Sequence, residues 1–377
     1  MNFFNNYKII IESEGTTPFR RDKDIAQDGT TPMYRDKDGK LWAMSGHSHL
    51  GHIGMFCGTS LDDLEELYAV NTNFCVGHAD YSFSGIRYPE GIKPRGSIWP
   101  FGLYICPNTH RFFCFFHNET GWNGKGTGYD AFSFIGQGEI PRCDSDFRHI
   151  GLMHSDDEGK NWTFDRWVLT GNDVCISEKF NPDGENIIGQ KLDNLMLGSG
   201  DFSLFVNPND DYIYILYNIV SVNMLEEKWN RCDTYIARTR KRDDGVMGDF
   251  VKYYEGSFSE AGNLGRESVI IPNSWHTRVV WLEKHKKYLV SYRAMFDDDT
   301  WGGELTTKFR VSDDMTNWSE PITAMYNGKV YGNHYSAIAP NGDNSAAAVI
   351  ADDDFSILSN HNATNVTRYF AHLEKIK

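Results

Sequence analysis

The sequence has no long apolar run, and nothing in it approaches the roughly 20 consecutive apolar residues of a membrane span, so no membrane partner is expected. Basic residues are few: 37 Lys and Arg stand against 52 Asp and Glu, a formal charge of −15 over 377 residues. A nucleic-acid surface would have to be isolated from that negative field, which excludes nucleic acid as a partner. Cysteine is sparse and odd in number, seven in all, at positions 57, 75, 106, 114, 143, 175 and 232. None has paired metal-type spacing, and several sit in apolar runs such as Phe112-Phe113-Cys114-Phe115-Phe116, so reduced, buried thiols are expected. The opening stretch MNFFNNYKIIIESEG has no basic leader, long apolar core or small-residue cleavage site. That predicts a cytoplasmic protein, or a secreted or periplasmic one whose signal peptide is already removed.

Helical periodicity is also scarce. What is abundant is aromatic side chain, 24 Phe, 19 Tyr and 10 Trp, in short β-rich runs between Gly, Asn and Asp clusters. These runs repeat as a phrase: an apolar strand, an Asp/Asn/Gly turn, an aromatic strand, then a strand closing on Ser-x-Asp. The first copy runs from Thr31 through the turn Asp36-Lys37-Asp38-Gly39 to Asp62, and the second from Trp99 to Asp157. The third runs from Asp201 to Ala237, the fourth from His276 to Trp318, and the fifth from Tyr335 to Ala371. A sheet of three or four strands cannot bury both faces without neighbours, and radial closure supplies them. The expected fold is all-β, a five-bladed β-propeller over residues 1–377 as a single domain, with Tyr7 to Ile11 completing the last sheet. Six blades result if Cys75 to Ser84 or Val174 to Gly200 hides another.

Two phrases carry a resemblance. Ser155-Asp156-Asp157-Glu158-Gly159-Lys160-Asn161-Trp162 resembles the Asp-box of sialidase-type propellers, a structural turn whose Trp fills the space between blades. Ser312-Asp313-Asp314-Met315-Thr316-Asn317-Trp318 resembles the blade ending of five-bladed glycosidases of the arabinanase and xylosidase type. Trp99-Pro100 and Asp201-Phe202-Ser203-Leu204-Phe205 resemble that family's second- and third-blade openings. The resemblance implies a glycosidase in which Asp201 orients the acid. The family's first-blade Asp-Pro, which supplies the base, stands here as Thr31-Pro32, with Asp28 the nearest carboxylate, and its fourth-blade Glu falls on His276. A related branch acting on anhydro-sugars of algal galactans is similar in using a His there. Arg20, Arg21 and Arg35 resemble the arginines that hold sialic acid, but the Arg-Ile of the sialidase first blade is missing, which disfavours a sialidase.

Glycoside hydrolysis needs a proton donor at the leaving oxygen and a carboxylate for water or direct attack. The catalytic candidates are Asp201, Glu119, His276 and Asp28. Glu119 follows an apolar strand, a setting that raises a carboxyl pKa toward acid work. The long interruption from His117 to His149 is where a propeller displays function, which adds His117, Trp122, Tyr129 and Arg148 as substrate contacts. Trp99, Arg278, His47 and His334 complete the substrate-binding set, and Trp275 and Trp301 are expected to be exposed stacking platforms. His47, His49 and His52 form the one metal-like cluster, without a carboxylate or Cys at metal spacing, so no metal ligands are assigned. A structural divalent cation in the central channel is the one cofactor considered. The expected function is hydrolysis of an oligo- or polysaccharide. The alternatives are a polysaccharide lyase using His117 or His276 as base with Tyr129 or Arg148 stabilising the charge, and a non-catalytic glycan-binding propeller.

Overall fold

The computed structural model describes residues 3–15, 19, 29–47, 52–71, 86–87, 97–119, 148–171, 194–223, 226, 228–294, 306–333, 335–341, 347–360 and 366–376. The first blade is the antiparallel sheet of Met33–Arg35, Leu41–His47, His52–Gly58 and Glu65–Asn71. The second comprises Ser97–Ile105, Phe112–Glu119, Arg148–Ser155 and Trp162–Thr170, and the third Leu195–Val206, Tyr212–Asn223, Lys228–Arg240 and Val251–Tyr254 with Ser257–Ala261 outside it. One parallel bridge between Gly198 and Arg148 joins these two blades into a continuous ten-stranded sheet. The fourth blade is Trp275–Leu282, Lys287–Ala294, Thr306–Ser312 and Ile322–Thr323. The fifth is Tyr335–Pro340, Asp354–Asn360, Thr367–Lys375 and the N-terminal strand Tyr7–Gly15, which runs antiparallel to Thr367–Lys375 with Ile11 opposite Ala371. The N-terminal strand thus pairs with what would be an open edge of the last sheet.

Sequence pattern follows position in the blade. The inner strand Trp275–Leu282 is buried along its whole length, as a strand packed on both faces must be, whereas Thr306–Ser312 further out alternates buried and half-buried residues. The apolar faces meet in five clusters that close the ring. Trp42, Met55, Phe112 and Trp162 join blades one and two; Phe115, Phe202 and Tyr217 join two and three; Phe205, Val279 and Trp281 join three and four. Val280, Phe309, Ile357 and Ile9 join four and five, and Met33, Phe56, Ala337 and Leu358 seal blade five against blade one. Among the described residues each blade packs on two neighbours, and no sixth blade is present. Cys75 to Ser84 and residues 174–193 lie outside the described residues, and the stretch from Leu195 to Gly200 belongs to the third inner strand.

The turns are built from short polar side chains. Asp36 Oδ1 accepts the N–H groups of Asp38 and Lys40, both at 2.9 Å, while its Oδ2 accepts the Trp42 indole N–H at 2.8 Å. Asp157 Oδ1 accepts the Ser155 hydroxyl at 2.8 Å and the Asn161 N–H at 2.9 Å, and Trp162 is fully buried between blades one and two. Ser312, Asp314 and Asn317 repeat this pattern beneath a half-buried Trp318. Cys57 is half-buried and Cys106, Cys114 and Cys232 are buried, all four as free thiols; Cys75, Cys143 and Cys175 lie outside the described residues.

Candidate active site

Three neighbouring inner strands carry an irregularity at the same level. Their register against the second strand slips between Pro100 and Gly102, between Gly200 and Ser203, and between Trp275 and Arg278. A bulge bends the strand and re-aims the side chain at the slip. In blades three and four the re-aimed residues are Asp201 and His276, held at φ of 38° and 55°. A side chain rarely adopts that left-handed conformation, and it persists only where the surroundings impose it.

Those surroundings are specific. The Asp201 N–H donates to His117 Nδ1 at 3.1 Å, so Nδ1 is the unprotonated nitrogen and Nε2 carries the hydrogen of the neutral ring. His117, on the second strand of blade two, lies flat against Phe101, with ring centroids 5.5 Å apart and planes 7° apart. Gly200 makes this approach possible, because a Cβ there would meet His117 Cε1 at 2.5 Å. The His276 N–H donates to Asn218 Oδ1 at 2.9 Å, and the Asn218 amide is itself fixed by donating to Asp233 O, Thr234 Oγ1 and Ser274 O.

The bulges bring a carboxylate and an imidazole together. Asp201 Oδ2 accepts from Arg148 Nη1 and from the Trp275 indole, both at 2.8 Å, while Oδ1 faces His276 Nδ1 at 3.8 Å. All three charged or chargeable side chains are buried: Arg148 at 4%, Asp201 at 6% and His276 at 2% exposure. The Arg148 guanidinium also lies over the rings of Trp229 and Trp275, at 5.8 and 5.6 Å from their centroids. The His276 ring is stacked on Trp275 and lies 3.9 Å from the Tyr335 ring. Nearby, burial first and the charges of Asp201 and Asp233 second push the Cys232 thiol pKa up, which keeps it a neutral core group.

A segment of the first blade crosses the central channel. Thr30 Oγ1 donates to Phe202 O of blade three at 3.0 Å, Arg278 Nη1 of blade four donates to Thr31 O at 3.5 Å, and Asn360 of blade five donates to Gly29 O at 3.3 Å. Gly29 has φ of +140° and sits so close to Phe101 that a Cβ would meet its ring at 1.8 Å. The Thr31-Pro32 opening of blade one is therefore keyed to all four other blades.

Of the sequence-predicted residues, the structure brings together Asp201, His276, His117 and Arg148, with the Trp99 ring 5.4 Å from His117. Arg278 is buried in the channel. Glu119 closes its strand opposite Arg148 and Ser97, and His47 is paired with His52; for these ends the backbone alone is described. Asp28, Trp122, Tyr129, Trp301 and His334 lie outside the described residues. Trp275 corrects an expectation: it is 3% exposed and holds Asp201 instead of offering a stacking face. No group of three His, Cys, Asp or Glu suited to a metal occurs among the described residues. Asn218 and Trp229 were missed. The signal for Asn218 was a polar residue inside the apolar run Ile215-Leu216-Tyr217-Asn218-Ile219-Val220.

No family model matches the chain, and no curated protein matches it in sequence. Among solved structures it is similar to an exo-β-1,3-galactanase from Phanerochaete chrysosporium, at 11% identity and TM-score 0.49, covering 98% of this chain and 65% of that one. A family 117 glycoside hydrolase from Zobellia galactanivorans aligns at 10% identity and TM-score 0.47, covering 97% and 90%. An α-L-arabinofuranosidase from Lactobacillus brevis aligns at 11% identity and TM-score 0.45, covering 94% and 91%. At such distance the likeness says nothing of this chain's activity, and the five-bladed ring rests on its own sheets and clusters.

Proposed function

We propose that the chain is a glycoside hydrolase acting on an oligo- or polysaccharide. The observation that carries this reading is the meeting of Asp201 and His276 on the bulged inner strands of adjacent blades, each in a conformation that the surrounding hydrogen bonds enforce. Asp201 is the positioning residue. With Oδ2 occupied by Arg148 and Trp275, its Oδ1 faces His276 Nδ1, where it stabilises an imidazolium, and Nε2, buried in the unliganded protein, is the nitrogen left to donate to the leaving oxygen. The 3.8 Å separation closes to a hydrogen bond when substrate is seated, as acid–base contacts in unliganded sites commonly do. His276 then gives its proton to the departing sugar, and a carboxylate, Asp28 or Glu119, activates the attacking water.

The test is digestion of a glycan panel by wild type and Asp201→Asn, with reducing ends and ultraviolet absorbance read together. New reducing ends, lost or displaced in pH optimum in the variant, support the reading. Absorbance rising with cleavage would move it to the lyase, and sugar binding without turnover would move it to a binding propeller.

A further inference from the structure

The channel holds a charge that this chemistry does not use. Arg278 lies two residues beyond His276 on the inner strand of blade four and is 3% exposed. A guanidinium carries five N–H donors. Among the described residues this one makes a single long bond, to Thr31 O at 3.5 Å, and its Nε has no acceptor. Three other buried cations show what is missing: Arg148 pairs with Asp201, Lys252 with Glu267 and Arg368 with Asp62. Burial alone pushes the Arg278 pKa down to about 10, so it remains a cation at neutral pH. A buried cation without a counter-charge is strongly unfavourable. Its bond partner belongs to blade one, which is not a neighbour of blade four, so the guanidinium reaches into the channel. Two residues along a strand place it within about 7 Å of the His276 backbone.

We propose that Arg278 anchors an anion-binding centre in the central channel, taking one compact negative group: a carboxylate or sulfate carried by the sugar, or a free halide in the same position. The sugar-borne source rests on the glycosidase reading, whereas the halide does not. The anion supplies the acceptors that the buried guanidinium otherwise lacks, and as a fork of fixed donors Arg278 suits a carboxylate or sulfate better than a neutral hydroxyl.

The experiment is thermal unfolding of wild type, Arg278→Lys and Arg278→Met at fixed ionic strength, replacing the sodium salt of a bulky sulfonate buffer stepwise by sodium bromide. Parallel series use a monosaccharide uronate, a sulfated monosaccharide and the neutral parent sugar. The expected result is a rise in wild-type Tm of roughly 2 °C or more at anion a hundredfold above its Kd, absent in Arg278→Met and reduced in Arg278→Lys. A larger shift with uronate or sulfated sugar than with bromide, and none with neutral sugar, identifies the substrate as the source. A shift with bromide alone identifies a free ion. No shift with any anion in wild type overturns the proposal, because the protein then balances the charge itself. Should Arg278→Met fail to fold, the wild-type and Arg278→Lys series decide the matter. Cleavage is not read here, so failure of the anion centre and failure of the glycosidase reading are separate results.

Discussion

Breaking the Arg148–Asp201 pair is the sharpest structural test of the site. Both side chains are nearly without solvent, and they meet at 2.8 Å. In Arg148→Met the Asp201 carboxylate keeps the Trp275 indole as its donor but loses its counter-charge. Removing one partner of a buried ion pair costs about 3–5 kcal/mol, because the survivor is left charged in a low dielectric. Asp201→Asn takes that carboxylate from Arg148 likewise, softened by the two indole faces beside it. The double variant strands neither, so its cost is expected to fall short of the sum of the singles by about 2–3 kcal/mol. Urea is the denaturant of choice, since it leaves the ionic strength unchanged across the series. Unfolding is followed by tryptophan fluorescence and far-ultraviolet circular dichroism, whose coincidence checks that one transition is being measured. Costs that add to within about 0.5 kcal/mol would refute the reasoning, since they would mean that the two groups are not coupled in the folded protein.

Gly29→Ala forces a Cβ into Phe101 and is expected to destabilise by about 1–3 kcal/mol or more in urea; because Phe101 supports His117, kcat is expected to fall as well. Trp162→Ala removes a fully buried ring between blades one and two and is expected to cost about 3–5 kcal/mol, with any glycan cleavage by the folded fraction unchanged. Burial raises the Asp157 carboxyl pKa, but hydrogen bonds from Asn161 and Ser155 outweigh it and hold the group below the usual 3.8. Its stabilisation is therefore fully present above that value and is lost as pH falls through the lower folded value. The urea-midpoint gap between wild type and Asp157→Ala should accordingly stay constant from neutral pH to about pH 4 and shrink below it. Deleting residues 1–15 uncovers the edge of Thr367–Lys375 and is expected to give aggregation on light scattering, which the separate peptide should reverse.

The repeats made the architecture legible because each blade writes the same phrase. Apolar inner strands, Asp-centred turns such as Asp36 and Asp157, and aromatic second strands all follow from a sheet packed on both sides. Closure by Tyr7–Gly15 was legible for the same reason: an isolated apolar strand needs an edge, and the last blade offers one. Asp201 and His276 could be named because each opens a blade, but their meeting could not be seen, since it depends on register slips with no signature in composition. Trp275 was misread as exposed because a Trp beside a His and an Arg looks the same in sequence whether it faces a sugar or a buried carboxylate. The crossing of the channel by Gly29, Thr30 and Thr31 was invisible, because it joins residues up to 331 positions apart through backbone carbonyls.

The most direct test of the central claim is glycan digestion in heavy-oxygen water with wild type and a folded Asp201→Asn, reading product masses. Hydrolysis at the Asp201–His276 site predicts one heavy oxygen in each new reducing end from wild type, with the yield collapsing in the variant although circular dichroism shows it folded under the assay conditions. Products lighter by a water and without heavy oxygen, or undiminished cleavage by Asp201→Asn, would contradict it.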